Sequence, residues 1–486
     1  MKQKSMASNF VFNLLYNAMN LLFPLITIPY VSRILLAEGN GRVSYAQNIV
    51  TYFLIFAQLG IPKYGIREIA KARDQKEELS KLFYEILTIN AVSTTIALIA
   101  YYGMIVGFRL FPERTELFAV AGMTIAFNYV NCDWLYVGLE EYRYVTLRSF
   151  VVKFVSLILI LLFVRNEGDT IQYALIYCVG VGGNNLFNVI HARKYVQKPR
   201  VRLQLKKHLS PIFILLSTNI AVELYTQLDT TMTGAICGET YVGYYTNTVK
   251  LTRLVVTMIT TVGAILLPRL SYYYKNGEQE VFQQYISKAL KIILFFSVPA
   301  MIGIFAFSDP VVLIVLGQDF APSSMTLRIL SLLIPILAVG NLFGSQILMI
   351  TGQEGQLMRS VMIGAIVNII MNSMLIPVFQ QNGAAMGSVI AEFTVMIVQI
   401  AFAKRYVNCT IEKRYVASLL GANAFVAIAC SLLVMNVSFR LVTILLVCTC
   451  IAITYLGIGF LLKNEAAIYL LTRVKIIITS KLQRKS

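Results

Sequence analysis

Long apolar stretches alternate with short polar loops from residue 10 to residue 462. A helix needs about 20 apolar residues to cross a hydrocarbon core of about 30 Å, because each residue adds about 1.5 Å. The pattern therefore predicts an all-α, polytopic membrane protein with about fourteen transmembrane helices, or twelve without the last two. The predicted spans are 10–33, 43–61, 83–107, 116–138, 146–164, 170–190, 210–233, 241–267, 284–307, 324–350, 358–378, 383–403, 415–436 and 440–462.

Basic residues are distributed unevenly between the loops. The chain carries a net charge of +18, and 57% of its 486 residues are hydrophobic. With the N-terminus in the cytoplasm, 33 Lys and Arg residues fall in or beside cytoplasmic loops and 7 on the outer side. This bias is typical of plasma-membrane proteins and predicts that both termini are cytoplasmic. The basic loops should contact anionic lipid headgroups rather than nucleic acid.

The chain repeats itself weakly at an offset of 199 residues. Identical residues recur in the pairs Gly39 and Gly238, Val43 and Val242, Tyr45 and Tyr244, Asn48 and Asn247, and Val50 and Val249. The repeat predicts two parallel six-helix lobes, and chance similarity among apolar helices is the alternative. The predicted organisation is an N-lobe at 1–195, a basic cytoplasmic linker at 196–209, a C-lobe at 210–405, two further helices at 406–462 and an amphipathic cytoplasmic tail at 463–486. His208, at the end of the linker, is expected at the membrane interface.

Ionisable residues at membrane depth are costly and usually face a cavity or a partner. Predicted helix 7 carries Glu223 and Asp229, and helix 8 carries Lys250 and Arg253, which share one face at i and i+3. One interpretation is structural, with Glu223 paired to Arg253 and Asp229 to Lys250 across the hairpin. The other is a cationic site for an anionic substrate, in which the acids control the charge or bind a coupling cation.

Five further residues complete the candidate set. Asp133, beside the only tryptophan, and Glu392 are deep acids that either couple an ion or form structural pairs. Arg33 either contacts the substrate or extends to the membrane interface. Asn48 and Asn247, which the repeat matches, are candidate substrate contacts. No catalytic or nucleotide-binding motif is visible, and the seven cysteines lie mostly in apolar segments, so we expect neither a metal site nor a cofactor.

Several segments resemble bacterial polysaccharide repeat-unit flippases of the Wzx type, in the multidrug/oligosaccharidyl-lipid/polysaccharide (MOP) exporter superfamily. The segments are PYVSRIL at 29–35, LGIPKYGIREIAK at 59–71, DWLYVGLE at 133–140 and VGYY at 242–245. One departure is Leu36, where many relatives have glycine.

The resemblance implies two six-helix lobes around a central cavity, two extra C-terminal helices and alternating access. It implies an undecaprenyl-diphosphate-linked oligosaccharide as substrate, moved to the outer leaflet for O-antigen, capsule or exopolysaccharide, with a polymerase and other assembly proteins as partners. Lys250, Arg253 and Arg33 are then candidates for binding the diphosphate, and Asp229 and Glu223 for coupling to H⁺ or Na⁺. The alternatives are a cation-coupled multidrug antiporter, a lipid II flippase, and a membrane glycan polymerase or ligase.

Overall fold

The computed structural model describes residues 6–199, 202–408, 412–436, 454–461 and 464. Every regular element in these ranges is helical. The α-helices are α1 Met6–Gln58, α2 Ile61–Ala72, α3 Lys76–Tyr102, α4 Thr115–Ala121, α5 Met123–Ala126, α6 Asp133–Gly138, α7 Tyr142–Phe163, α8 Thr170–Gly182, α9 Asn184–Ala192, α10 Lys206–Cys237, α11 Glu239–Lys275, α12 Gln279–Ala306, α13 Ser308–Val315, α14 Ser324–Leu330, α15 Leu333–Asn341, α16 Glu354–Ala403 and α17 Lys413–Asn436. Short 3-10 or π turns lie at Gly103–Gly107, Pro112–Arg114, Phe127–Val130, Gln318–Ser323 and Leu342–Leu348, and 454–461 is also helical.

Seven helices in the described ranges are long and apolar enough to cross a membrane. An eighth span results if the bent pair Gln318–Leu330 and Leu333–Leu348 counts as one. The prediction of an all-α, multi-pass membrane protein is therefore confirmed, and the count of fourteen stays a prediction. Most of the predicted span 440–462 and, except for Asn464, all of the predicted tail at 463–486 lie outside the described residues.

Two long helices each join two predicted spans through a single non-helical residue. In α1 this residue is Leu36 (φ 56°, ψ −173°), and in α16 it is Gln380 (φ 47°, ψ −126°). The loop expected over 34–42 is wrong, because the helix resumes directly after Leu36. The buried amide of Asn40 donates to the carbonyls of Val31 (3.2 Å) and Leu36 (2.8 Å), which satisfies backbone acceptors at the break.

The span predicted over 116–138 is not continuous. It is divided into α4, α5 and α6, with a 3-10 turn at Phe127–Val130. The Asn128 amide donates to Asn90 Oδ1 (3.0 Å) and to the Thr94 hydroxyl (2.9 Å) of α3, and the Asn90 amide donates back to the Asn128 carbonyl (2.5 Å). These side-chain bonds compete with helical backbone bonds, and the break that they accompany places Asp133 at the start of α6.

The chain divides into two compact units, Met1–Gly243 and Tyr244–Ser486. The first unit has one apolar core where α2, α3 and α6 pack around Trp134, and another where α1, α3, α4 and α8 pack around Tyr101. The second unit has one core between α11, α12, α15 and α16, and another where α17 packs against α12 at Phe295. The lobe boundaries drawn from the sequence stay a prediction.

The described part of the predicted linker at 196–209 lies against α3. The backbone N–H of Gln204 donates to Glu85 Oε1 (2.7 Å). His208 is 2% exposed, with Nε2 2.8 Å from Glu85 Oε2 and Nδ1 2.6 Å from the Tyr64 hydroxyl. Its expected place at the membrane interface stays a prediction. A buried carboxylate needs such donors, and the contacts of Glu85 hold this part of the linker against α3.

Candidate functional site

The exposed face of α11 is polar within the span that the sequence predicts over 241–267. Lys250, Arg253, Thr257 and Thr261 are exposed at helical spacings, with Met258 as an apolar neighbour. On α7, by contrast, the exposed residues after Arg143 are large and apolar: Leu147, Phe150, Val151, Phe154, Val155, Ile158, Leu161, Leu162 and Phe163. A polar stripe in place of an apolar one indicates contact with water or a polar ligand.

The side chains of Lys250 and Arg253 have no hydrogen-bond or ion-pair partner among the described residues. Lys250 lies about 16 Å along α11 from Glu239, which corresponds to about half of a hydrocarbon core. The two cations share one face, as their spacing predicts. The choice between the hairpin ion pairs and the cationic site stays a prediction.

The two acids of α10 differ in burial. Glu223 is exposed, whereas Asp229 is buried and in contact with other residues. The buried Asn48 joins α1 to this part of α10: its amide donates to Gln227 Oε1 (2.8 Å), and its Oδ1 accepts from the Thr231 hydroxyl (2.6 Å). Both polar groups of Asn48 are therefore used within the protein, and its role towards a substrate stays a prediction.

The other three predicted residues lie on three different helices. Arg33 is exposed on α1, just before the break at Leu36, and it contacts other residues. Asn247 is 1% exposed on α11. Glu392 is half-buried on α16, one turn after Ser388, whose hydroxyl lies 2.8 Å from that of Tyr245 in α11.

Asp133, whose side chain is 40% exposed, belongs to an ionic network that links α6, α7 and α9. Its Oδ1 accepts from Arg148 (2.9 Å) and from the amide of Asn188 (2.6 Å). The Arg148 side chain is 5% exposed and lies over the ring of Tyr144, 5.4 Å from its centroid. One carboxylate oxygen of Asp133 is therefore committed to a structural ion pair, which the structural interpretation requires.

Asp133 also lines a cavity of about 120 Å³. Most of the other lining side chains are polar, namely Gln58, Thr124, Asn128, Asn131 and Asn185. No described residue donates a hydrogen bond to Asp133 Oδ2. Asp133 therefore combines a structural contact with a position beside a polar space, and sequence reasoning had offered these as alternatives.

Sequence reasoning missed a buried acid at the start of α11. The Glu239 side chain is 4% exposed and forms ion pairs with Arg42 (3.5 Å) and Arg114. Burial, and next the charge of Arg42, lower the pKa of the Arg114 guanidinium. Arginine nevertheless stays charged at neutral pH, so the carboxylate has two cationic partners. Arg42 and Arg114 are two of the seven basic residues that the sequence predicts on the outer side. Their common side was the available sequence signal that the two residues could meet.

Two glycines allow α1 and the first turn of α11 to approach closely beside Glu239. A Cβ on Gly41 would lie 1.7 Å from the carbonyl oxygen of Glu239, and one on Gly243 would lie 2.0 Å from that of Ala37. Small residues permit such close backbone contacts between membrane helices. The crossing holds the beginning of α11 against α1 within the first compact unit.

The long apolar helices of the described ranges define the class of a multi-pass membrane protein. Residues 6–274 match the family model described as "Polysaccharide biosynthesis protein", and residues 215–374 match the model named MatE. The first match covers more than half of the chain, and the chain belongs to the polysaccharide biosynthesis protein family.

Relatives match over much of the chain at low identity. An Escherichia coli (strain K12) protein named "Putative O-antigen transporter" is 22% identical over 411 residues, which cover 82% of this chain and 97% of the relative. A Haloferax volcanii protein named "Probable low-salt glycan biosynthesis flippase Agl15" is 26% identical over 213 residues, which cover 42% of this chain and 45% of the relative.

Solved structures show the same fold. "Lipid II flippase MurJ, inward closed conformation" aligns with a TM-score of 0.72 at 13% identity, covering 94% of this chain and 99% of that chain. An inward-facing "multidrug resistance MATE family transporter of the MOP superfamily" aligns with a TM-score of 0.63 at 14% identity, covering 79% and 94%. At these identities, the two likenesses show the fold that this chain shares with those transporters.

Proposed function

We propose that the protein is a flippase that moves undecaprenyl-diphosphate-linked oligosaccharide repeat units from the cytoplasmic to the outer leaflet by alternating access. The observation that carries this proposal is the pair Lys250 and Arg253, two exposed cations of α11 without a partner among the described residues. Both lie near the middle of the span that the sequence predicts over 241–267. Family membership supports the glycan, since the relatives are named for O-antigen and glycan transport. The product would feed O-antigen, capsule or exopolysaccharide assembly, with a polymerase and other assembly proteins as partners.

The chemistry of the pair suits a diphosphate. Charged phosphates do not enter hydrocarbon unless their charge is compensated. A guanidinium can bind two phosphate oxygens in a bidentate manner, and an ammonium adds a mobile point charge. Thr257 and Thr261, further along the same exposed face, would extend a polar path for the headgroup and its sugars. Arg33 is a proposed second contact.

The movement needs a driving force, and the acids are the proposed coupling groups. Asp133, Glu223, Asp229 and Glu392 are the candidates, with H⁺ or Na⁺ as the ion. The MatE match supports ion coupling, because it includes the segment with Glu223 and Asp229. We also propose that both termini are cytoplasmic, on the basis of the basic loops.

Glycan export by charge-neutral variants tests the proposal. In a host that lacks its own repeat-unit flippase, Lys250→Gln and Arg253→Gln should each abolish surface glycan at normal protein levels, because the diphosphate loses a counter-charge. Lys250→Arg should retain part of the export. Arg269 is an exposed cation farther along α11, so Arg269→Gln is the matched control, and cells with this variant should export glycan normally. Full export by the Lys250/Arg253 double variant would refute the assignment.

Two other substrates remain in competition within the same fold. The MatE match suggests an antiporter of organic cations, but an uncompensated basic pair repels such cargo. The likeness to MurJ suggests lipid II, which carries the same diphosphate. Complementation separates these substrates: rescue of a repeat-unit flippase mutant supports our proposal, whereas rescue only of a lipid II flippase mutant or only of drug efflux contradicts it.

A further inference from the structure

A cavity of about 290 Å³ lies between α2, α3 and the first turn of α10, far larger than a single water site requires. Three lysines and three glutamates line it, and the other lining side chains are Tyr64, Ala72, Leu82 and His208. The six charges of this wall cancel, in contrast to the basic loops of the predicted cytoplasmic side. A small anion or a small cation would therefore meet as much repulsion as attraction.

Four of the six charges are paired with each other. Lys71 Nζ lies 3.0 Å from Glu68 Oε1, and Lys207 Nζ lies 3.1 Å from Glu85 Oε2. Glu85 is fully buried, and the imidazole of His208 also contacts its Oε2. Both acids are therefore satisfied within the protein, so a ligand must be recognised by the two remaining charges.

The two remaining charges are Glu78 and Lys81 of α3. Glu78 is exposed, Lys81 is half-buried, and neither side chain has a hydrogen-bond or ion-pair partner among the described residues. Residues three apart on a helix are close enough to pair, yet these two side chains stay separate on the wall of one cavity. A carboxylate and an ammonium that both lack a partner favour a ligand that itself carries both signs of charge.

The face of α3 that carries Lys81 continues as an apolar stripe. Val92, Ile96 and Ile99 are exposed, and their spacing places them within about 60° of the direction of Lys81 around the helix. Val92 lies about 16 Å along α3 from Lys81, inside the span that the sequence predicts over 83–107. Alkyl chains attached to a ligand in the cavity can lie along this stripe, which favours a lipid over a soluble zwitterion.

We propose that the cavity binds the headgroup of a zwitterionic phospholipid with a primary amine, of the phosphatidylethanolamine type. The phosphate accepts hydrogen bonds from the Lys81 ammonium, and the ammonium of the lipid donates to the Glu78 carboxylate. The sequence predicts this end of α3 on the cytoplasmic side, where the headgroups of the inner leaflet lie. The headgroup lies beside Lys207 of α10, where the linker is held against α3. The proposal does not depend on which substrate the protein moves.

Thermal unfolding of the full-length protein, purified in detergent and depleted of lipid, tests the proposal. Trp134, the only tryptophan, packs in the same apolar core as Tyr64 and Leu82 of the cavity wall, so its emission follows the unfolding of this region. A ligand that binds the folded protein raises the unfolding midpoint as it saturates the site.

The titration compares three phospholipids with the same acyl chains. We expect phosphatidylethanolamine to raise the midpoint with a half-saturating concentration about tenfold or more below that of the other two. Phosphatidylglycerol lacks the ammonium, and the quaternary ammonium of phosphatidylcholine has no N–H to donate to Glu78. Glycerophosphoethanolamine, the same headgroup without acyl chains, should have no effect at these concentrations.

Two charge-neutral variants separate the roles of the two residues. Glu78→Gln should abolish the preference for phosphatidylethanolamine, because the carboxylate that selects the ammonium is lost. Lys81→Gln should raise the half-saturating concentration of all three phospholipids by about tenfold, because each of them carries the phosphate. Lys76→Gln and Glu77→Gln are the matched controls and should bind like the original protein, since both residues are exposed in the first turn of α3 and do not line the cavity.

Equal half-saturating concentrations of the three phospholipids would overturn the proposal, and so would an undiminished preference in Glu78→Gln. An equal response to glycerophosphoethanolamine would overturn the assignment to a lipid in favour of a soluble zwitterion. Each comparison is made within one variant, so a change in the lipid-free midpoint does not affect it. The glycan assay is independent: full export by the Lys250/Arg253 double variant would remove the proposed substrate and leave the lipid site standing.

Discussion

The contact between Gly41 and the start of α11 makes a sharp prediction about alanine substitution. Gly41→Ala places a methyl group 1.7 Å from the Glu239 carbonyl oxygen and 2.6 Å from its carbon. Gly243→Ala places one 2.0 Å from the Ala37 carbonyl oxygen. These neighbours are backbone atoms, so no side chain can rotate away and the two helices must separate.

The size of the effect follows from these distances. Real Cβ contacts do not fall below 3.0 Å, so the backbones must move apart by about 1.3 Å at Gly41 in a tightly packed interior. Overpacking of this kind costs about 1–3 kcal/mol. The movement also stretches the pairs of Glu239 with Arg42 and Arg114, and a buried carboxylate that loses partners adds to the loss.

Gly303→Ala is the matched control, since nothing lies within 4 Å of a Cβ at that position in α12. It should stabilise by up to about 1 kcal/mol, because alanine favours the helix. In thermal unfolding of the purified variants, the midpoint of Gly303→Ala should therefore equal or exceed that of the original protein. The midpoints of Gly41→Ala and Gly243→Ala should lie clearly below it. Equal midpoints for Gly41→Ala and Gly303→Ala would refute the close crossing.

Three further predictions concern single residues. Leu36→Gly should leave the unfolding midpoint unchanged or raise it, because a backbone at φ 56°, ψ −173° strains leucine by about 1–3 kcal/mol. The control Leu35→Gly, at a buried helical position, should lower the midpoint strongly. Asn48→Leu should lower the midpoint, because the buried amide loses its two hydrogen bonds to half-buried partners on α10, and an unchanged midpoint with lost export would instead indicate a substrate contact. Glu239→Gln should destabilise the protein more than Glu38→Gln, because Glu239 is buried with its ion pairs whereas Glu38 is exposed. Equal unfolding midpoints for the two variants would contradict the burial of the Glu239 ion pairs.

The apolar spans and their approximate ends follow from the sequence, because burial in lipid imposes long hydrophobic runs whatever the partners. The break at Gln380 falls inside the predicted gap between 378 and 383. Hydropathy predicts a nine-residue loop where the structure has a turn at Leu36, because one residue of unusual backbone geometry leaves no mark on the hydropathy pattern. The departure from glycine at this position was visible, but only the positive φ shows its cost.

Contacts between side chains are harder to predict from the sequence than helices are. The shared face of Lys250 and Arg253 follows from helical spacing alone. The pairing of Asp133 with Arg148, and of Glu239 with Arg42 and Arg114, joins residues of different helices, and no local pattern specifies which of them meet. The break in the span over 116–138 has the same origin, because it accompanies Asn128 bonding to another helix.

The single-residue turns also bear on the internal repeat. Leu36 and Gly238 both adopt positive φ with extended ψ, and Gly41 and Gly243 each follow five residues later in reciprocal contact. Counted from the turns the offset is 202, whereas the sequence identities give 199. If the helices are duplicated, as the repeat predicts, the turns match the buried Asn48 of α1 to the exposed Lys250 of α11. One copy would then carry a bonded amide where the other carries a cation.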